Sequence, residues 1–481
     1  MMSSDFEVLV TAEEAFPAFE RAVLGAKSHI VAGFRIFDMT TRLRSSEAQQ
    51  VGAIWFDLLA HVLQKGVRFD LTVSDFDEDM AADLHAQAAQ TVRQGQELAA
   101  RTGVDTSQLR VRMHLHPARA GFLPRLFFAP AVRRKRLNTS GVAARRPALP
   151  PLHTVSLHQK LAVIDDELLY VGGLDLNERR YDTKDHTLPA HLSWSDVQVM
   201  VRGPAAKEAR EHLERFTDVV SGRQKARGSK HILRTLSTPR AVQLPYVSPR
   251  SLVNEIETAH LDAFRDARKH LHIETQFLRS GRIAAGLAKA AATNPDLTAT
   301  IILPGTPQDL AYEDNEGLDL RYGLARTKDA VETVKQAFGQ RLLLATPVRP
   351  VMAARDSRGT LAGSPQIHVH NKVLVKDDDL LLIGSANLNG RSMRWDTEVA
   401  VATRDPHQIQ SGVQKLLQHW WFDPLTQEAR DHISAFDWWR SEIKANGAKL
   451  PQNRTGFLVP FDVDKNMELA QRLPGVTEDI V

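Results

Sequence analysis

The sequence predicts an α/β protein built as two similar lobes, each a mixed β-sheet flanked by helices, with an active site where the lobes meet. The first observation behind this is a repeated string. His158-Gln159-Lys160, then Asp165, then Gly172-Gly173-Leu174-Asp175-Leu176-Asn177 returns downstream as His370-Asn371-Lys372, Asp377 and Gly384-Ser385-Ala386-Asn387-Leu388-Asn389, with every interval kept. Two strings in one register mean an internal duplication. The second is that a strand, helix, strand, helix order can be read ahead of both strings. The third is length, since 481 residues exceed one ordinary core.

The first lobe is expected over 1–220. Thr11-Ala12-Glu13-Glu14 reads as a capping box ahead of a helix carrying Phe16, Phe19 and Val23 on one face. His29–Phe37 reads as a buried strand, and Ile54, Leu58 and Val62 mark a helix closed by Gly66. Val67, Phe69, Leu71 and Val73 alternate as a strand does, and Ala81–Ala100 reads as a long, half-exposed helix. A basic, Pro-rich insertion follows near 117–151, then the first string. Ser221–Arg250 carries Gly, Ser, Pro and basic residues with little periodicity and reads as an interlobe linker over 221–250. The second lobe, 251–481, repeats the order: a helix with Ile256, Ala259 and Ala263, a strand over Leu271–Phe277, a helix over Ile283–Ala292 and a strand over Thr298–Leu303. From about His407 an extension holds Trp420-Trp421-Phe422 and Trp438-Trp439, read as aromatics that fix a terminal helix to the core.

Composition narrows the function. Hydrophobic content of 43% and charged content of 25% are those of a soluble globular chain. The absence of Cys excludes disulfides, thiolate catalysis and Cys-based zinc sites. No secretory signal or membrane span is legible, so the expected location is cytoplasmic or peripheral to a membrane, with leaderless export compatible. Net charge is only +3, yet from Thr106 to Ile164 there is no acidic residue, while Arg110, Arg112, Arg119, Arg125, Arg133-Arg134-Lys135-Arg136, Arg145-Arg146 and Lys160 fall there. Such a run favours an anionic partner, lipid headgroups or nucleic acid. Phe122, Leu123, Leu126, Phe127 and Phe128 beside those cations fit either a membrane-surface element or an aromatic rim packed on its lobe.

Each string reads as strand, tight turn, strand, with acidic residues in the turn. His and Lys two apart share a strand face, the glycines let backbone approach it, and Asn177 or Asn389 supplies an amide. A base or nucleophile, a fixed cation and a donor amide make a phosphate half-site. Two half-sites suit double displacement at phosphorus, in which one His attacks and the other protonates the leaving oxygen. His114, His116 and His153 lack a matching carboxylate cluster, and phosphohistidine chemistry needs no metal, so no cofactor is expected.

The paired HxKxxxxD strings, the run Gly384–Glu398 and Ile273-Glu274-Thr275-Gln276-Phe277 resemble the phospholipase D superfamily, and most of all a bacterial phospholipase D. The first string departs from the second with Gly173 for Ser385 and Asp175 for Asn387. The resemblance implies a phosphodiesterase that releases headgroup and phosphatidic acid through a phosphohistidine intermediate, with transphosphatidylation open to it. It implies His158 as nucleophile and His370 as acid, Lys160, Lys372, Asn177 and Asn389 on the phosphate, Asp196 orienting His158 and Glu398 orienting His370. Asp165 and Asp377 are then structural, Gly172, Gly173, Gly384 and Ser385 supporting, and Glu274 and Gln276 close to substrate. The expected partner is phospholipid at a membrane surface and the expected state a monomer with both half-sites in one chain. A cardiolipin synthase-like phosphatidyltransferase, a nuclease using the same paired site, and a silent lipid-binding module are the alternatives.

Overall fold

The computed structural model describes residues 6–138, 149–312 and 317–473. Arg145, Arg146 and the N- and C-terminal ends of the chain lie outside the described residues, as do the side chains of Lys135 and Arg136. In chain order the strands of the first half are β1 (Phe6–Val10), β2 (His29–Phe34), β3 (Arg68–Ser74), β4 (Leu109–His114), β5 (Leu161–Ile164), β6 (Leu168–Gly172), β7 (Trp194–Ser195) and β8 (Val197–Arg202). Those of the second half are β9 (Leu233–Thr238), β10 (Arg250–Asn254), β11 (His270–Thr275), β12 (Thr298–Ile302), β13 (Leu342–Pro347), β14 (Thr360–Leu361), β15 (Ser364–Pro365), β16 (His368–Val369), β17 (Lys372–Lys376), β18 (Leu380–Gly384), β19 (Glu398–Thr403) and β20 (Leu458–Pro460).

The two large sheets repeat one topology. The first runs β1-β8-β6-β5-β2-β3-β4 and the second β10-β9-β19-β18-β17-β11-β12-β13-β20. Between the outermost strands of the second, each position has its counterpart in the first. In both, parallel pairs (β2–β3–β4, β11–β12–β13) adjoin antiparallel ones (β5–β6–β8, β17–β18–β19). Parallel neighbours need crossover helices, and these lie on the outer faces: Trp55–Gln64 and Ala82–Thr102 in one lobe, Gly281–Thr293 and Leu318–Phe338 in the other.

The inner faces meet. Val163, Leu169, Val171 and Val199 share one buried cluster with Val373, Val375, Leu381, Ile383 and Val401. The helices Pro204–Val220 and Pro406–His419, equivalents after β8 and β19, close the same cluster with Phe216 and Leu416. A continuous apolar core between sheets fixes the lobes to each other, which a two-sided site requires.

Two expectations are corrected. The segment 221–250 is not wholly a linker, because β9 lies inside the second sheet, paired with β10 and β19. Its Thr and Ser residues hid the alternation, and Arg234 is neutralised by Glu255 at 2.8 Å. Thr11 forms no capping box: it takes φ 61°, the helix Thr11–Leu24 has no side-chain cap bond, and only Glu14 reaches back to the Val10 amide, at 3.0 Å. The C-terminal aromatics pack as expected, with Trp420 and Trp439 buried and Trp421, Trp438 and Trp439 meeting edge to face.

Candidate active site

Each repeated string enters the candidate site through the opposite lobe. The Leu157 segment forms a parallel bridge with Thr397, and the His158 amide donates to the Thr397 carbonyl at 2.9 Å. The mirror contact is β16 on β7, with the His370 amide donating to the Ser195 carbonyl at 2.8 Å. Each His is therefore pinned beside the strand that carries the other copy's carboxylate.

This reverses the expected pairing. His158 Nδ1 lies 2.9 and 3.1 Å from the two carboxylate oxygens of Glu398, and His370 Nδ1 lies 2.6 Å from Asp196. The nearest carboxylate in sequence is thus not the partner, because the duplication exchanges its strand ends across the interface. With Nδ1 facing a carboxylate, Nε2 of each ring is the nitrogen that points away from it.

Burial sets the electrostatics. Lys160 and Glu398 are fully buried and Lys372 and Asp196 nearly so. Desolvation, with the nearby lysines, holds both imidazoles well below the usual histidine range. Burial pushes the carboxyls up, Asp196 to about 7 and Glu398 to about 8, and pushes the Lys372 ammonium down to about 7. Each imidazole–carboxyl pair then holds a dissociable proton near neutrality, which is what an acid–base couple at phosphorus uses. Lys160 and Lys372 each donate to the carbonyl of the His two residues earlier, which ties cation and imidazole together in one strand.

The two departures between the copies have physical reasons. Ser385 donates to Glu398 at 2.5 Å and so steadies the longer carboxylate. At Gly173 an added Cβ would lie 2.0 Å from Asp196 Oδ1, so the shorter carboxylate reaches His370 only because that position has no side chain. Asp175, 3.8 Å from Lys160 Nζ and from Arg35, is a buried counterion, whereas Asn387 donates to Gln276 at 3.2 Å.

The remaining residues fall into place. Asn177 and Asn389 accept, through Oδ1, the amides of Arg180 (3.1 Å) and Ser392 (2.9 Å), which leaves Nδ2 as each amide's donor. Asp165 and Asp377 hold turns: Asp165 accepts from the amides of Lys27, Ser28 and His29, Asp377 from those of Arg268, Lys269 and His270. Gly172 and Gly384 let β6 and β18 press against Gln198 and Ala400. Glu274 is not a substrate contact. It is fully buried and accepts from Trp420 at 2.9 Å, bonds His272 at 2.8 Å and accepts from the Asn371 amide, so it anchors the second string from behind. Gln276 lies beside His368 and Asn387 at the rim. His153 Nδ1 faces the His116 carbonyl at 3.0 Å, and among the described residues no His, Asp or Glu group is arranged to hold a metal ion.

Arg180 had no signal in the sequence reading. Its guanidinium stacks on Trp194 at 3.8 Å, Trp194 meets His368 and His370 edge-on at 4.4 and 5.7 Å, and its Nε and Nη1 are buried without a hydrogen-bond partner. Only the run Arg179-Arg180-Tyr181 so soon after Asn177 could have pointed to it.

Two buried His–carboxylate pairs and two lysines thus converge from the two halves of a duplicated fold. Residues 260–421 match the family described as "Cardiolipin synthase, PLD-like domain". Mouse phospholipase D1 is 25% identical over 276 residues, 48% of this chain and 26% of that protein, and bovine phospholipase D2 is 27% identical over 311 residues, 52% and 32% of the two chains. This chain therefore aligns with about a third or less of the length of those relatives. In fold it is similar to the phosphatidylserine synthase of Haemophilus influenzae Rd KW20, with TM-score 0.51 at 16% identity, over 87% of this chain and 86% of that one. The matched domain and these relatives together support a member of the phospholipase D superfamily.

Proposed function

We propose that the protein cleaves the headgroup from glycerophospholipids by a double displacement that passes through a phosphohistidine, releasing phosphatidic acid. The observation that carries this reading is the crossed pair of buried dyads, His158–Glu398 and His370–Asp196, each with its own lysine. His158 Nε2 attacks phosphorus, since its side chain is 15% exposed against 4% for His370. The P–O bond to the headgroup breaks, and the leaving oxygen takes a proton from the His370–Asp196 pair. The same pair then removes a proton from water, whose oxygen displaces His158 as the P–N bond breaks. Lys160, Lys372 and the Nδ2 groups of Asn177 and Asn389 hold the non-bridging oxygens and offset the charge that grows in the transition state.

A second reading shares the first half. If an alcohol rather than water accepts the phosphatidyl group, the protein is a phosphatidyltransferase, and the description of the matched family favours this as much as the names of the curated relatives favour hydrolysis. The test supplies purified protein with phosphatidylcholine, phosphatidylethanolamine and phosphatidylglycerol vesicles, with and without glycerol. Phosphatidic acid with free headgroup, lost in His158→Ala, is expected. A new phospholipid formed without phosphatidic acid points to transfer, and cleavage of DNA with lipid left intact overturns both readings.

A further inference from the structure

The insertion ahead of His158 builds a ledge that the catalytic site does not explain. Residues Phe122–Asn138 form a helix held to the body by a small cluster of Val132, Ala120 and Leu152. Arg125 folds back, with Nε donating to the Pro150 carbonyl at 2.7 Å. The other face is bare. Phe127 is 78% exposed, Phe122, Leu123 and Leu126 about half exposed, and the rings of Phe127 and Phe128 meet at 5.1 Å. A distant segment widens the ledge, because the Leu123 amide donates to the Leu244 carbonyl at 3.1 Å and the Gly121 amide to that of Tyr246 at 2.7 Å. Leu244, Tyr246 and neighbouring Val242, 70% exposed, lie open there.

We propose that this ledge is a docking surface for anionic bilayers, which seats the site over its lipid; the inference rests on the reading of the protein as a phospholipid enzyme. Soluble chains rarely leave so large an apolar patch uncovered, so something covers it. Charge selects the occupant. Arg133 and Arg134 lie exposed on the same helix, Arg240 stacks over Tyr246 at 4.5 Å, and neither 106–164 nor 239–250 contains an acid. A second copy docking by the same face would set these cations against each other. Nucleic acid would match the cations and leave Leu126, Leu244 and Val242 unpaired with anything apolar. A bilayer with acidic headgroups satisfies both, with apolar side chains in the interfacial layer and arginines at the phosphates. The ledge is also close to the chemistry. Leu152, in its anchoring cluster, lies six residues before His158, a span of at most roughly 20 Å of chain.

The test is sedimentation of the 481-residue chain with phosphatidylcholine vesicles and with phosphatidylcholine–phosphatidylglycerol vesicles, every protein carrying His158→Ala so that the lipid stays intact. The parent is expected to bind the mixed vesicles about tenfold or more tightly than phosphatidylcholine alone. Leu126→Ser with Phe127→Ser weakens binding to both by about tenfold or more, and Arg133→Glu with Arg134→Glu removes only the preference for anionic lipid. Equal binding by parent and variants overturns the proposal, as does a parent that binds neither vesicle. A concentration-dependent dimer that the Ser variants abolish assigns the ledge to self-association instead. Binding needs no turnover, so failure of the catalytic reading leaves this result standing, and the reverse also holds.

Discussion

Changing Glu398 to Gln tests whether the carboxylates act across the lobes. The substitution keeps the shape and the Ser385 hydrogen bond but removes the ionisable carboxyl that faces His158 Nδ1 at 2.9 and 3.1 Å and pairs with the ring when it becomes charged. A charge-assisted hydrogen bond to a buried partner contributes about 1.5–3 kcal/mol. If that stabilisation is realised in the transition state, kcat/KM falls roughly 10- to 150-fold. Asp196→Asn, at 2.6 Å from His370, belongs at the upper end of the same range. Activity alone does not say which imidazole is affected, so the assay is nuclear magnetic resonance of ring-labelled histidines. Glu398→Gln is expected to shift the His158 ring signals and leave those of His370, and Asp196→Asn the reverse. Should Glu398→Gln move His370 while His158 stays put, the crossed arrangement is refuted.

Other substitutions probe the surroundings. Burial lowers Lys372 to about 7, and a protonated lysine is what binds phosphate, so kcat/KM should fall as pH rises through neutrality into the mildly alkaline range. Lys372→Arg should push that limb upward, and a wild-type limb near the ordinary lysine value of 10.5 would count against the burial argument. The acid limb should come from the His158–Glu398 pair, which must lose its proton before His158 attacks, with Glu398 at about 8, which makes the pH profile a narrow bell. Gly173→Ala places a carbon 2.0 Å from Asp196 Oδ1 and should reduce turnover by about tenfold or more through His370, with an unchanged thermal midpoint showing that the fold survives. Glu274→Gln leaves at least one buried donor unpaired and should cost about 1–3 kcal/mol in denaturant unfolding, visible as a lower midpoint.

Much of this was legible in the sequence, for reasons that mark where legibility stops. The duplication, the His-x-Lys faces and the turn aspartates follow from local spacing, since strand periodicity and turn chemistry act over a few residues. The capping contacts of Asn177 and Asn389 are local too, yet their sequence suggested only amide donors. The carboxylate partners are not: Asp196 stands nearer His158 in sequence, and only the exchange of strand ends at Thr397 and Ser195 gives it to His370. Glu274 misled for a similar reason, because a carboxylate at a strand end looks like a ligand until Trp420, some 146 residues away, is found donating to it. The strand β9 was hidden by its Ser and Thr residues, and Arg180 by Glu178 and Asp182 beside it, which make it look like an ordinary ion-pairing surface cation.

The central claim is one covalent site assembled from two copies. It is tested most directly by mass spectrometry of His370→Ala protein quenched after mixing with a phosphodiester whose leaving group needs no protonation. A phosphorus adduct is expected on the peptide carrying His158, formed at an appreciable rate and lost slowly, because the base that would activate water is gone. An adduct on no residue while substrate is consumed, or one that forms equally in His158→Ala, would contradict it.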